Sequence, residues 1–480
     1  MTVIDEGARI FIDGQIRRAA ASAPVLEAAT GALLGSGAVA TSAEVDAAVA
    51  SARTALPGWR GTAPTERAAV LMRFADALEA RAPGTNELCT RENGMPIRLS
   101  RGANGRFPAA LLRYYAELIR ESAVEEIRPA AIGHTIVRRE AVGVVAAVVP
   151  WNYPQALAAF KLAPALAAGC TMVLKASPET ALDALVFAEA AIDAGLPVGV
   201  LNVIAGGPET GGYLISHPGI DKVSFTGSTA TGRLIAEICG RLLRPVTLEL
   251  GGKSAAVILE DADLDSTIKG LLNASFVNNG QTCHLSSRIL APRSRYGELV
   301  DALAALATGL KVGDPLDKST EVGPLVSARQ RDRVLGYIEA GKAEGARLVA
   351  GGGIPADQPD GWFVAPTVFA DVDNATRIAQ EEIFGPVLAV IPYDTEQQAI
   401  DIANDSEYGL GGTVWSADAE RATDIARAIH SGTVGVNDYQ LDMAAPFGGV
   451  KSSGLGRELG PEGLTAYQQL KSIYRVGPAQ

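Results

Sequence analysis

The chain has 480 residues, 48% of them hydrophobic and 20% charged, with a formal net charge of −12. Single cores stop growing at about 250–300 residues, so an ordinary soluble chain of this size is expected to hold at least two domains. The acidic balance argues against nucleic acid as the main partner, because phosphate contacts need clustered Lys and Arg.

The opening MTVIDEGARIFIDGQIRR has no apolar core segment, so no secretory signal is expected there. Residues 1–122 read as mostly helical. SAEVDAAVASARTAL and PTERAAVLMRFADALEARA have helical spacing, with Ser42 and Thr65 as the expected N-caps. Residues 123–142 change character. VEEIRPAAIG and HTIVRREAVGVV read as a polar antiparallel ribbon. Two strands alone are marginal, so the ribbon should lean on something else, a second subunit included.

From Gly143 a regular alternation begins. GVVAAVVP, TMVLKAS, GVLNVIAG, KVSFTGS and PVTLELGG are apolar runs like strands buried on both faces. Between them lie the helical PQALAAFKLAPALAAG, TALDALVFAEAAIDAG (stopped by Gly195) and TATGRLIAEICGRLL, the last with Leu234, Ile235, Ile238 and Leu242 on one face. This alternation predicts an α/β fold with a parallel, doubly wound sheet, which binds ligands beyond the carboxyl ends of its strands. Those ends carry Trp151-Asn152, Lys175, Gly227-Ser228 and Glu249. The longest apolar run, Ala141–Trp151, falls short of the ~20 residues of a membrane span, so no membrane partner and a cytoplasmic location are expected. After Gly252 a second α/β segment follows, with SAAVILE, helices over Tyr296–Leu310 and Arg329–Glu344, a loop at Gly351–Gly361 and strands to Val436. The terminal LKSIYRV reads as an edge strand wanting a partner.

Chemistry concentrates in a few places. Cys89, Cys170, Cys239 and Cys283 include no CxxC pair, and the four histidines are not spaced as ligands on one turn, so no metal is expected. Cys283, in NGQTCHLSS, stands among polar residues, unlike a structural cysteine. A free thiol is a strong nucleophile once a base, a cation or a helix N-terminus helps it. His284 is adjacent in sequence, and neighbours in extended chain point apart, which counts against it as that helper. SFTGSTATG, at Ser224–Gly232, suits a phosphate as well as an ordinary tight strand-to-helix turn. In LELGGKSA the P-loop spacing fails at Thr247. That leaves Glu249, a carboxylate at the end of an apolar strand, either ion-paired or serving as a general base.

Taken together, VVPWNYP, VLKASPET, SFTGST, LELGGKS, GQTC, EEIFGPV, GTVGVN and PFGGVKSSGLGRE resemble the aldehyde dehydrogenase superfamily, across nearly the whole chain. The resemblance implies two Rossmann-like doubly wound domains and a small β oligomerisation ribbon. Residues 1–122 with 143–251 would bind the dinucleotide. Residues 252–453 would be catalytic, and 123–142 with 464–480 would join subunits into a homodimer or homotetramer. It implies Cys283 as nucleophile, Asn152 as oxyanion donor and Glu249 as the base that activates water. Trp151, Lys175, Ser177, Gly227, Ser228, Leu250, Glu382 and Phe384 would hold the cofactor. Tyr153, Phe160, Thr282, His284, Tyr439, Leu441 and Phe447 would face a small-molecule aldehyde.

One departure bears on the cofactor. Many NAD-preferring members place a glutamate three residues after the lysine of the second strand. Here that place is Pro178, and Glu179 comes one residue late. The expectation leans to NAD, with weakened discrimination against NADP. The alternative enzyme class is a cysteine-nucleophile esterase or acyltransferase, which leaves the nucleotide-binding features without a purpose.

Overall fold

A computed structural model describes residues 7–477. Residues 1–6 and 478–480, the extreme ends of the expected first and last segments, lie outside the described residues. The helical reading of residues 1–122 fails over its first third. The chain opens with two hairpins, β1 (Arg9–Ile12) with β2 (Gln15–Arg18), and β3 (Ser22–Leu26) with β4 (Leu33–Ala38). The first turns at Asp13-Gly14, whose φ values of 55° and 73° suit a tight hairpin between right-twisted strands. Ile10, Phe11 and Ile12 are buried on the body of the protein.

Two long helices follow, Ser42–Gly61 and Pro64–Asn93. Their caps differ from expectation. Thr41, not Ser42, caps the first, in a reciprocal capping box with Glu44. Ala63 precedes the second without a side-chain cap, and Thr65 already lies inside its first turn behind Pro64. The polar ribbon is as expected: β5 (Glu125–Pro129) pairs antiparallel with β6 (His134–Ala141).

The parallel sheet is built from β7 (Val144–Val148), β8 (Thr171–Ala176), β9 (Leu201–Ala205), β10 (Lys222–Thr226) and β11 (Val246–Glu249). Its order is β11-β10-β7-β8-β9, with β1 and β2 added at the far edge. The chain runs outward from β7 through β8 to β9, then returns to the other side of β7 for β10. This reversal opens a crevice beyond the carboxyl ends of β7 and β10. Helix Pro154–Ala168 is buried along its whole length. Helix Thr229–Arg241 buries Gly232, Ile235 and Cys239, whereas Leu234 and Leu242 are 61% and 49% exposed. The expected single apolar face is therefore corrected: Leu234 lies about 100° from Ile235 around a helix and faces solvent.

The second sheet contains β12 (Ser254–Ile258), β13 (Ser286–Pro292), β14 (Arg347–Ala350), β15 (Thr367–Ala370), β16 (Val387–Tyr393), β17 (Gly412–Trp415) and β18 (Gly435–Val436), in the order β14-β15-β16-β13-β12-β17-β18. Helices Tyr296–Gly309 and Ala328–Ala343 stand within a residue of their expected bounds. The segments that lead into β12, β13 and β16 hold Gly251, Cys283 and Glu382. β19 (Gly454–Leu455) pairs antiparallel with β11. β20 (Gln468–Arg475) pairs along its length with β6, so the expected edge strand and the lone ribbon satisfy each other within one chain.

Candidate active site

A cavity of about 510 Å³ occupies the crevice. The first sheet contributes Trp151, Asn152, Gly227 and Ser228, and the link towards β12 contributes Leu250. The strands of the second sheet contribute Cys283, Glu382 and Phe384 from their amino-terminal approaches. Residues far apart in sequence thus meet where the carboxyl edge of one sheet faces the amino edge of the other.

The segment before Cys283 is strained and heavily tied. Asn278, Asn279 and Gly280 have φ values of 55°, 61° and 76°, a left-handed run that non-glycine residues seldom adopt. Each asparagine is held in place. Asn279 Nδ2 donates to the carbonyls of Gly94 (2.9 Å) and Pro324 (2.8 Å), and its Oδ1 accepts from the Gly323 amide at 2.7 Å. Asn278 Nδ2 donates to the Asn152 carbonyl at 3.0 Å. Asn152 Nδ2 in turn donates to the Gln281 carbonyl at 3.0 Å, which fixes the amide beside the Cys283 loop. A Cβ on Gly280 would lie 2.1 Å from the backbone of Gly385, so this position has room only for glycine.

Cys283 is half-buried, whereas Cys89, Cys170 and Cys239 are buried. Burial, and then the nearby Glu382 and Glu249 carboxyls, push the Cys283 thiol up to about 12. Cys89 donates to Asp183 and Cys170 to the Tyr467 carbonyl, as suits structural thiols.

Glu249 ends β11 at 2% exposure, and among the described residues neither carboxylate oxygen meets a well-formed hydrogen-bond donor, the Gly449 amide giving only a weak contribution that favours the ionised form. Gly448 makes room for it, since a Cβ there would come within 2.5 Å of Oε1. Burial, then Glu458, raise its pKa well above the usual carboxylate value, while Lys161 and Arg457 oppose the shift. Lys161 Nζ pairs with Glu458 Oε1 at 2.7 Å and donates to Thr226 Oγ1 at 2.6 Å. Sequence reasoning missed this buried pair. Its one visible signal was Lys161, a single charge in the otherwise apolar helix PQALAAFKLAPALAAG.

Residues 16–473 match the aldehyde dehydrogenase family. The chain is 55% identical over 473 residues to the geranial dehydrogenase of Castellaniella defragrans, with 98% of each chain covered. The chain belongs to the aldehyde dehydrogenase family. A Mycobacterium tuberculosis aldehyde dehydrogenase solved with NAD+ superimposes with a TM-score of 0.97, at 47% identity over 99% of both chains. A Pseudomonas syringae aldehyde dehydrogenase mutant solved with NAD+ and octanal gives 0.94, at 40% identity over 97% of this chain and 96% of that one. The protein is an NAD(P)-dependent aldehyde dehydrogenase, with the expected α/β architecture.

The cavity of this dehydrogenase suits a dinucleotide. Ser228 caps the 13-residue helix Thr229–Arg241, whose N-terminus favours a diphosphate. Gly227 leaves the backbone bare beside it, since a Cβ would lie 2.4 Å from the Phe225 ring. Glu382 Oε1 accepts from the Gly252 amide at 3.0 Å, and burial raises its carboxyl to about 7. Trp151 and Phe384 meet edge to face at 5.5 Å. Lys175 and Ser177 lie at the end of β8, outside the cavity wall, and both are buried. Burial lowers the Lys175 amine to about 8. Arg329, Gln330 and Arg333, which sequence reasoning did not single out, also line the cavity.

Several of the expected aldehyde-facing residues form one cluster. Tyr153 Oη lies 3.0 Å from Thr282 Oγ1. His284 stacks on Tyr439 at 4.3 Å and 11°, and meets Phe447 edge-on at 6.3 Å. Phe160 meets the other side of the group at 6.2 Å from Phe447. Burial drops the His284 imidazole to about 4, so it is neutral at pH 7. Leu441 takes no part in these ring contacts and is 39% exposed. Among the described residues, no three His, Cys, Asp or Glu gather as a metal site, and no helix is long and apolar enough to cross a membrane.

Proposed function

We propose that Cys283, Asn152 and Glu249 carry out the oxidation of an apolar aldehyde to its carboxylic acid. The observation that carries this reading is the tie between Asn152 and the Cys283 loop at the cavity wall, with Glu249 near enough to perturb the thiol. Cys283 gives its proton to Glu249, which releases it to solvent, and the sulfur adds to the aldehyde carbon, turning the carbonyl into an alkoxide. The second N–H of the Asn152 amide, with the Cys283 backbone N–H, receives that charge. One such donor contributes about 2.7–4 kcal/mol to the transition state. NAD(P)+ held at the cavity would supply the hydride acceptor, and loss of that hydride from the alkoxide carbon would leave a thioester on Cys283. Glu249 takes a proton from water as the water attacks the thioester, and the acid departs with the thiol restored. A buried carboxyl with no well-formed hydrogen bond suits a base that must both gain and lose a proton during turnover.

Trp151, Gly227, Ser228, Leu250, Glu382 and Phe384 bind the cofactor at the cavity, and Lys175 and Ser177 bind it at the end of β8. Tyr153, Phe160, Thr282, His284, Tyr439 and Phe447 give the aldehyde an apolar, aromatic surround, with Leu441 at its rim. A relative named for geranial supports an apolar aldehyde of medium length. Residues 1–122 with 143–251 form the dinucleotide-binding domain and 252–453 the catalytic domain. The β5-β6-β20 sheet, within 123–142 and 464–480, joins subunits of a cytoplasmic homodimer or homotetramer, where exposed Ile127, Leu470 and Tyr474 would be covered. The test is reduced-nicotinamide absorbance across a panel of aldehydes with each cofactor. Aldehyde-dependent reduction that Cys283→Ala abolishes is expected. Full reduction by that variant would overturn the nucleophile, and thioester hydrolysis without any reduction would favour the esterase.

A further inference from the structure

We propose that Arg329 and Glu179 form a latch that admits a 2′-phosphorylated dinucleotide as well as the unphosphorylated one. The inference rests on the dehydrogenase reading above and deepens its cofactor site. In doubly wound sheets an acidic residue beyond a strand end takes the ribose 2′-hydroxyl, whereas an arginine nearby accommodates a 2′-phosphate. β8 lies beside β7, next to the crevice, and both devices stand just beyond its end. Glu179 sits in the short turn Pro178–Thr180 that follows the strand. Arg329 reaches across from helix Ala328–Ala343, lines the cavity, and donates Nη2 to Glu179 Oε1 at 3.3 Å.

The geometry points to a pair made for exchange. The Arg329 side chain is 84% exposed. It holds Glu179 through one nitrogen rather than through the two-nitrogen fork of a committed arginine–carboxylate pair. Such exposed pairs stabilise little, so little is lost when Arg329 turns to another anion. Glu179 is anchored independently, because its Oε2 accepts from Ser177 Oγ at 2.5 Å. With NAD the carboxylate can take the 2′-hydroxyl. With NADP the free nitrogens of Arg329 meet the phosphate, and its charge offsets the repulsion that Glu179 would exert alone. Pro178 opens the short turn that carries Glu179, so the acid stands in the turn and not at the end of β8 itself.

The experiment is calorimetric titration of the full chain with adenosine 2′,5′-bisphosphate and with 5′-AMP, whose shared 5′-phosphate cancels in the comparison. The wild type is expected to bind the bisphosphate at least as tightly as AMP, with a steeper loss of affinity on adding salt. Arg329→Ala should weaken the bisphosphate about tenfold and AMP about threefold or less, as for a lost charge-assisted contact. Glu179→Gln should strengthen the bisphosphate and weaken AMP. The same ratios should appear in kcat/KM for NADP+ against NAD+. An equal loss for both probes in Arg329→Ala, or a wild type that binds the bisphosphate tenfold more weakly than AMP, would overturn the latch. If aldehyde-dependent NAD+ reduction then persists, the dehydrogenase reading stands without it; if neither dinucleotide is bound or reduced, both fall.

Discussion

Glu249→Gln tests the catalytic role proposed for this residue and, separately, what its burial costs the fold. Glu249 is buried without a well-formed hydrogen bond and beside Glu458, so its folded pKa is raised. A raised carboxyl pKa means that the folded state holds the proton more tightly than the unfolded one. Below the unfolded value, about 4.5, both states are protonated and the group contributes no difference. As pH climbs towards the folded pKa, the wild type loses about 1.4 kcal/mol of stability for each unit of the shift. The glutamine cannot ionise, so it escapes this loss, although its buried amide carries a pH-independent penalty. The difference in unfolding free energy, variant minus wild type, should therefore rise from pH 5 to pH 8, and comparing the two pH values cancels the amide penalty. Urea denaturation at both values measures it. Steady-state turnover should fall by about 10²–10⁴, the usual worth of a general base, while a first-turnover burst of reduced nicotinamide survives. A flat stability difference with pH would refute the buried-charge argument, and unchanged turnover would show that another base serves.

Other expectations can be checked as directly. Because the Cys283 thiol is pushed up to about 12 in the free enzyme, its alkylation by iodoacetamide should quicken roughly tenfold per pH unit from pH 7 to 10; a plateau below pH 9 would contradict that. Asn152→Ala should lower kcat by about 10²–10³, yet cost only about 1 kcal/mol of stability, since one hydrogen bond to Gln281 is lost; equal losses of cofactor affinity and kcat would point to a collapsed loop instead. Lys161→Met strands the buried Glu458 and should destabilise the fold by about 3–5 kcal/mol at pH 8; a loss under about 1 kcal/mol would show that the pair is not needed.

What could be read from residues alone follows from where the physics is local. GVVAAVVP and TMVLKAS were legible because a strand covered on both faces must be a continuous apolar run. FIDGQI carries a two-residue turn signal, but the strands of the β1–β2 hairpin are only four residues each, too short to show a clear alternation beside the long helical pattern after Ser42. Leu234 shares its apolarity and a helix with Ile235, but only packing decides which side of a helix is covered, and Leu234 is exposed. Cys283, Glu249 and Asn152 stood out because their polar chemistry interrupts strand ends and loops. Glu458 and Arg329 did not, because each acquires its meaning from a partner in another element: Lys161, 297 residues from Glu458, and Glu179, 150 residues from Arg329.

The acids around the crevice share one electrostatic condition. Burial drives Cys283, Glu249 and Glu382 towards their neutral, protonated forms, and each carboxyl makes the thiolate harder to form. With its pKa pushed up to about 12, Cys283 is held as the thiol at neutral pH, the form that resists oxidation through the thiolate. The same low-dielectric setting magnifies any positive charge that enters the cavity, which favours the ionised form of all three groups at once. Exposed acids would titrate almost independently of such a charge and would give no gain in reactivity on binding. The loss of stability from burying these groups is therefore what makes the site responsive. It also explains why the surrounding backbone is held so firmly, by Asn278 and Asn279 in left-handed conformations and by Gly280 against Gly385, since a loop free to relax would let water in and level the three acids towards their ordinary values.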